Sequence, residues 1–94
     1  MQSILQWNCR GLRSSTPELQ ALIRSQRPRV ACIQETKLRP EFRLAIKGFS
    51  VFRKDLAVDT IAHGGVMILV LNTVPVRRVE LRSPLQAVVV RIPI

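Results

Sequence analysis

The chain has 94 residues and a formal net charge of +9, and 47% of its residues are hydrophobic while 22% are charged. This length leaves room for one small domain, and 33 Leu, Ile, Val and Phe residues exclude disorder as the global state. The longest apolar run, residues 64–71, is far shorter than the about 20 residues of a membrane-spanning helix. We therefore expect no membrane partner.

The positive charge favours a polyanionic partner. Lys and Arg number 15 against 6 Asp and Glu, and 12 of the 15 are Arg. Arg pairs bidentately with phosphate and stacks on bases, so nucleic acid is the leading partner class and an acidic membrane surface the second. The start lacks the features of a secretory signal and the chain has two cysteines, Cys9 and Cys32. We expect a reducing intracellular compartment, with both thiols acting as small buried hydrophobes.

The first predicted element is a strand over residues 3–8. A helix follows, and its start can be placed in two ways. Thr16 can cap it with Pro17 at the first helical position, or Ser15 can cap it with Glu18 closing a capping box. Both placements predict a helix that begins near residue 16.

The predicted helix carries an apolar stripe and stops before a proline. The stripe is formed at i, i+3 and i+4 by Leu19, Leu22 and Ile23. Pro28 ends the helix, because the residue before a proline disfavours helical geometry. Residues 30–34 form an apolar run typical of a strand buried on both faces. Strand, helix and strand together predict a βαβ unit.

Strands dominate the rest of the chain. Residues 40–46 are predicted as a turn or short helix with Phe42 and Ile46 on one side, followed by a strand over 49–53 and a loop over 55–65. Residues 66–71 and 74–81 are predicted to form a hairpin around Asn72 and Thr73, and residues 86–92 a last strand. The predicted fold class is α/β, bordering on α+β, with a mixed sheet. One helix covers only part of one sheet face, so we expect the missing layer to come from further chain, a partner subunit or an exposed apolar patch.

Polar residues end the two predicted parallel strands. Asn8 ends the first strand and Glu35 follows the second. Ligands collect at the carboxyl ends of such strands, and neighbouring strands lie about 5 Å apart. The carboxamide and carboxylate oxygens could therefore share a Mg²⁺ ion. Alternatively, Glu35 is a solvated acid and Asn8 a turn residue that bonds its own backbone.

Several segments resemble one known superfamily. They are WNCRGL at 7–12, IQETKL at 33–38, Gly48-Phe49 with VFRKD at 51–55, and Gly64-Gly65-Val66 with ILV at 68–70. The order, spacing and residue identities of these segments are similar to those in the amino-terminal half of the endonuclease/exonuclease/phosphatase superfamily. They look most like the apurinic-endonuclease-like domain of non-LTR retrotransposons, and the resemblance runs from about Ser3 to Ile92.

The resemblance implies a fold, a reaction and a site. The expected fold is part of a two-layer β-sandwich of mixed sheets flanked by helices, with a βαβ start and then a mostly antiparallel sheet. The expected reaction is phosphodiester cleavage with Mg²⁺ or Mn²⁺. Glu35 matches the family's metal-binding glutamate, and Asn8 matches the asparagine of its metal and phosphate site. Arg10 departs from the apurinic branch, which has a metal-binding aspartate there, so metal affinity would depend mainly on Glu35.

The family's remaining catalytic motifs, an Asp–Asn pair and a final His with its Asp partner, do not occur in residues 1–94. We therefore expect residues 1–94 to be the amino-terminal part of a single domain and to be inactive alone. The intact enzyme would nick DNA, and a retrotransposon origin implies the nucleus. The alternatives are a catalytically dead basic module that binds nucleic acid, and a phosphatase relative. Candidate contacts to the DNA backbone are Lys37, Arg39, Arg53 and Lys54, with plain surface solubility as the alternative.

Overall fold

The computed structural model describes residues 3–58 and 61–93. Within them lie one helix and eight strands: β1 (Ile4–Asn8), α1 (Leu12–Gln26), β2 (Val30–Gln34), β3 (Phe49–Lys54), β4 (Ala57–Val58), β5 (Ile61–Ala62), β6 (Val66–Leu71), β7 (Arg77–Val79) and β8 (Val89–Arg91). The predicted strands at 3–8, 30–34, 49–53 and 66–71 are confirmed to within a residue.

The main sheet has four strands in the order β1-β2-β6-β3. β1 and β2 are parallel and are connected by α1, which confirms the βαβ unit. β6 is antiparallel to both of its neighbours, β2 and β3. The chain is therefore a mixed α/β structure with a mostly antiparallel sheet, as the sequence predicts.

Alternating side chains bury both faces of this sheet. On one face, Leu19 of α1 packs in a cluster with Ile33 of β2 and Leu69 of β6, all three fully buried. On the other face, Val70 of β6 packs in a second cluster that includes Val90 of β8. The β7–β8 pair thus begins a second layer opposite the helix.

The helix begins at Leu12, four residues before the predicted start, so the predicted caps lie inside it. Its first residue is held by tertiary contacts: the Leu12 side chain is fully buried, and its N–H donates to the carbonyl of Thr36 at 2.9 Å. Thr16 does not cap but donates its hydroxyl back to the carbonyl of Leu12 at 3.0 Å. Pro17 lies in the second turn of the helix, where it lacks the N–H that would bond the Arg13 carbonyl and its ring crowds that carbonyl. The end is as predicted, with Arg27 in the left-handed conformation before Pro28.

The predicted hairpin of 66–71 and 74–81 is wrong. β6 already has β2 on one edge and β3 on the other, so it has no free edge for a third strand. The turn at Asn72 and Thr73 exists, but β7 is only three residues long and pairs with β8 instead. β8 is also shorter than the predicted strand over 86–92, because residues 83–86 form a bend.

One predicted loop differs from the observed structure, whereas the predicted turn over 40–46 is present. The segment 55–65, predicted as a loop, contains the short antiparallel pair β4–β5, and its residues 59 and 60 lie outside the described part of the chain. Residues 40–46 form a turn without helix, and both Phe42 and Ile46 pack against the helix-side cluster. The described residues include no helix with the length and apolarity needed to cross a membrane.

We expect Leu19→Ala to destabilise the chain by about 2–5 kcal/mol, because it leaves a cavity between α1 and the sheet. The exposed neighbour Gln20→Ala is the matched control, with an expected change within about 0.5 kcal/mol. Urea unfolding followed by circular dichroism measures both. Equal midpoints for the two variants would show that α1 is not docked on the sheet through Leu19.

Candidate functional site

The carboxyl ends of β1 and β2 lie side by side at one edge of the sheet. The parallel register pairs Asn8 with Gln34, and Glu35 is the next residue. The start of β6 lies at the same edge, because Gln34 is also paired with Val66. We call residues 8–12, 35–37 and 64–65 the strand-end site. The structure thus brings the backbones of the two predicted metal residues together on neighbouring strand ends.

Backbone hydrogen bonds connect the β1–α1 loop to the segment after β2. The amides of Cys9, Gly11 and Leu12 donate to the carbonyls of Gln34 at 3.0 Å, Glu35 at 2.8 Å and Thr36 at 2.9 Å, respectively. These bonds extend the parallel pairing beyond the strands and into the first turn of α1. The loops that carry Asn8 and Glu35 are therefore held together by their main chains.

A second set of bonds attaches the Glu35 segment to the residues before β6. The Thr36 amide donates to the carbonyl of Gly65 at 3.3 Å, and the Lys37 amide donates to that of Gly64 at 2.7 Å. The residues on both sides of Glu35 therefore have fixed backbones. The carboxylate extends from a segment that is bonded on two sides.

Backbone strain is concentrated at the strand-end site. Arg10, Glu35 and Lys37 have φ values of 51°, 54° and 52°. A left-handed conformation costs a non-glycine residue roughly 1–2 kcal/mol. Such strain is found most often at functional sites, where surrounding contacts maintain it. Here those contacts are the backbone bonds on both sides of Glu35.

The two predicted metal residues and the nearby thiol differ in burial. Asn8 is exposed, Glu35 is half-buried, and Cys9 between the strand ends is buried. Burial raises the pKa of the Cys9 thiol, and the negative charge of Glu35 raises it further, whereas the positive charge of Lys37 lowers it. Burial also raises the pKa of Cys32. The oxygen atoms of Glu35 and Asn8, rather than a thiolate, are therefore the groups of the strand-end site that could hold a metal ion.

The donor set suits a hard cation. Among the residues that the structure describes, no three His, Cys, Asp or Glu side chains are grouped as metal ligands. One carboxylate and one carboxamide remain, from Glu35 and Asn8. Mg²⁺ commonly takes one or two protein carboxylates and completes its shell with water and phosphate. These residues fit Mg²⁺ or Mn²⁺ as a partial site that is open to substrate.

The four predicted DNA contacts fall into two groups, and one group is engaged within the chain. Arg53 pairs with Asp55 at 2.8 Å and donates to the carbonyl of Arg39 at 2.9 Å. Lys54 donates to the carbonyls of Ser83 at 3.0 Å and Leu85 at 2.5 Å. These bonds hold both side chains against protein oxygens, so a phosphate contact from either residue would be made alongside them or in their place.

The other two predicted contacts lie on the surface near Glu35. Lys37 is exposed, and its side chain lies next to Gly11. A Cβ atom added to Gly11 would be 3.9 Å from Lys37 Cδ. Arg39 is exposed and lies 4.0 Å from the Glu41 carboxylate. Exposed ion pairs at this distance contribute little to stability.

Arg13 is a further basic residue at this edge that sequence reasoning missed. Its guanidinium lies over the Phe42 ring, 4.8 Å from the centroid. Both residues line a cavity of about 320 Å³ together with Lys37, Arg39, Glu41 and Ala62. The only available signal is the position of Arg13 in the WNCRGLR run, and its partner Phe42 comes from a distant turn.

The profile of the Endonuclease/Exonuclease/phosphatase family matches residues 5–89. No curated protein sequence matches the chain.

Two solved structures of the Neisseria protein NExo share the fold. The first is a variant of the 3' phosphatase NExo from Neisseria bound to a product DNA hairpin, with a TM-score of 0.66 and 22% identity over 83% of this chain. The second is the 3'-5' exonuclease NExo from Neisseria meningitidis, with a TM-score of 0.63 and 22% identity over 80% of this chain. This chain spans 31% of the first structure's length and 30% of the second's.

We expect Gly65→Ala to be more destabilising than Gly48→Ala, although both glycines have a positive φ, of 90° and 86°. A Cβ on Gly65 would lie 2.4 Å from Thr36 Oγ1, whereas a Cβ on Gly48 meets nothing within 4 Å. The overlap adds about 1–3 kcal/mol to a backbone strain that the two variants share.

A double-mutant cycle in urea checks the cause. Thr36→Ala removes the overlapping hydroxyl and is expected to recover part of the loss caused by Gly65→Ala. Additive effects of the two substitutions would show that Thr36 and Gly65 are not in contact.

Proposed function

The chain belongs to the Endonuclease/Exonuclease/phosphatase family, and we propose that it forms the metal- and phosphate-binding part of a divalent-metal-dependent DNA endonuclease of the retrotransposon type. The observation that carries the proposal is the strand-end site, where backbone bonds join the ends of β1 and β2 that carry Asn8 and Glu35. The chain spans about 30% of the solved structures that it resembles.

In this proposal Glu35 and Asn8 hold Mg²⁺ or Mn²⁺ through a carboxylate and a carboxamide oxygen. When bound, the ion neutralises charge on a phosphate and polarises its P–O bonds. Lys37 and Arg10 are exposed beside these ligands and attract the negatively charged backbone of the substrate. The first turn of α1 adds the partial positive charge of a helix N-terminus at the same edge. Together these groups bind and orient a phosphate.

DNA is the substrate that the charges favour. The net charge is +9, and the first of the similar structures is described with a DNA hairpin bound. Arg13, Lys37 and Arg39 line one cavity beside the strand-end site. We propose that a DNA strand crosses this cavity on its way to Glu35, so that its phosphates meet all three cations.

Two finer features belong to the same proposal. The residues of the WNCRGL and QETKL segments, with Arg10 in place of an aspartate, support the retrotransposon branch of the family. For a protein of this branch we propose a nuclear location. Residues 1–94 contain neither the Asp–Asn pair nor the final His that orient water and complete the site in the family. We therefore propose that this chain alone binds metal and DNA but does not turn over substrate.

A second candidate is a basic module that binds nucleic acid without catalysis. A charge of +9, with 15 cations against 6 anions, favours it. The two candidates differ in one property: the module needs no metal at Glu35, whereas the nuclease does.

We expect Glu35→Gln to weaken Mn²⁺ binding at least about tenfold, because the only carboxylate proposed as a ligand becomes neutral. Glu18→Gln, an equal charge change on the exposed face of α1, should leave binding unchanged. Electron paramagnetic resonance titration with Mn²⁺ measures both variants. Equal Mn²⁺ affinity of the wild-type chain and Glu35→Gln contradicts the metal role of Glu35.

Plasmid nicking with Mg²⁺ or with a chelator separates the two candidates. If this chain nicks the plasmid and the nicking requires both Mg²⁺ and Glu35, the nuclease proposal is supported. The proposal that the chain alone does not turn over substrate is then overturned. Mn²⁺ binding at Glu35 without nicking is the expected result. DNA binding that is indifferent to both the metal and Glu35 would support the module.

We expect Lys37→Ala to weaken duplex DNA binding and to reduce the slope of log affinity against log salt by about 1, the effect of one lost phosphate contact. Lys47→Ala is the matched control, because Lys47 is exposed and precedes β3 at the opposite end of the sheet. Fluorescence anisotropy between low and moderate salt measures both. Equal slopes for the two variants would exclude the strand-end site as the DNA contact.

A further inference from the structure

A bend late in the chain reaches back to the strand-end site. Gln86 lies in this bend, and its Oε1 accepts a hydrogen bond from the amide of Gly65 at 2.8 Å. Gly65 is buried and precedes β6, and its own carbonyl accepts the bond from the amide of Thr36. One side chain from the last part of the chain is therefore connected, through a single glycine, to the residue after Glu35.

The two glycines leave space for the groups on either side of them. A Cβ on Gly64 would lie 2.4 Å from Gln86 Oε1, and a Cβ on Gly65 would lie 2.4 Å from Thr36 Oγ1. Both distances are too short for real atoms, so the glycine pair is packed between Gln86 and Thr36. The carboxamide of Gln86, an exposed residue, therefore lies against the backbone that supports the Glu35 segment.

Lys54 anchors the bend itself. Its ammonium donates to the carbonyls of Ser83 and Leu85. The hydroxyl oxygen of Ser83 in turn accepts a hydrogen bond from the amide of Leu85 at 3.1 Å. The residues just before Gln86 are thereby fixed to the end of β3, which places the Gln86 carboxamide against Gly65.

Glu35 needs this support more than an ordinary strand residue would. Its φ of 54° is left-handed, a conformation that surrounding contacts must maintain. The bonds from the amides of Thr36 and Lys37 to Gly65 and Gly64 are the contacts on its carboxyl side. The geometry of the carboxylate therefore depends on where the glycine pair lies.

We propose that Gln86 is a positioning residue for Glu35: by accepting the Gly65 amide it holds the Gly64–Gly65 pair, and through it the left-handed Glu35 segment, in the geometry that binds a divalent cation. This rests on the proposed function, in which Glu35 is a metal ligand. Gln86 acts through Gly65 and does not touch the ion. Lys54 contributes by holding the bend that carries Gln86.

Two substitutions of Gln86 separate its acceptor from its bulk. Gln86→Met keeps the length of the side chain and removes the acceptor oxygen, whereas Gln86→Glu keeps an acceptor. We expect Gln86→Met to weaken Mn²⁺ binding about fivefold to tenfold. Gln86→Glu should retain at least the wild-type affinity. The control Gln6→Met, on the exposed side of β1, should change nothing.

Amide hydrogen exchange gives a readout that does not use the metal. The Gly65 amide should exchange faster in Gln86→Met than in the wild-type chain, and its protection should be restored in Gln86→Glu. Leu22→Ala destabilises α1 at a half-buried position and controls for a general loss of stability. It should leave Mn²⁺ affinity unchanged at temperatures below unfolding.

The outcomes distinguish this inference from the proposed function. If Glu35→Gln loses Mn²⁺ and Gln86→Met does not, Gln86 is not a positioning residue and the metal role of Glu35 remains. If Leu22→Ala weakens Mn²⁺ binding as much as Gln86→Met does, the effect is general instability and the inference is overturned. If Glu35→Gln binds Mn²⁺ as well as the wild-type chain, the proposed function and the inference are both overturned.

Discussion

The structure depends on five backbone hydrogen bonds that join the β1–α1 loop, the segment after β2 and the glycine pair before β6. Three of them continue the parallel β1–β2 pair beyond its last paired residues, and the other two continue the antiparallel β2–β6 pair. Their effect is to start α1 at Leu12, to hold Glu35 in a left-handed conformation, and to keep Asn8 beside it. Helix start, strained residue and candidate metal ligands are therefore consequences of one local arrangement of the main chain.

The excess positive charge is divided between structure and surface. Arg53 and Lys54 use their nitrogen atoms on Asp55 and on backbone carbonyls, and Arg78 donates to the carbonyl of Arg53. The bonds of Lys54 and Arg78 attach the second layer to the edge strand β3, and the Asp55 carboxylate offsets the charge of Arg53. Lys37, Arg39 and Arg13 line one cavity. The basic residues therefore differ in structural role, although all of them count in the net charge of +9.

Local and short-range patterns predicted much of the fold, and non-local contacts account for what was missed. The apolar runs at 30–34 and 66–71 are strands because burial on both faces leaves no alternative for them. The helix start was misplaced because good capping residues at 15–18 are outweighed by the burial of Leu12, which depends on contacts made after β2. Likewise β7 pairs with β8, ten residues further along, because β6 has no edge to offer. The positions of Asn8 and Glu35 follow from βαβ topology, whereas the contact of Gln86 with Gly65 spans 21 residues and leaves no periodic pattern in the sequence.

Packing contacts and hydrogen bonds connect the second layer to the strand-end site. Val90 and Ile92 pack with Val70 on the sheet face opposite α1, which determines where the chain before β8 must run. That chain includes the bend at 83–86, which Lys54 attaches to β3 and Gln86 attaches to Gly65. Packing on one face of the sheet therefore acts on the backbone beside Glu35 at its edge. A site with a single carboxylate has few ligands to compensate for misplacement, so the metal affinity that we propose for Glu35 would depend on this packing more than that of a site with several acids.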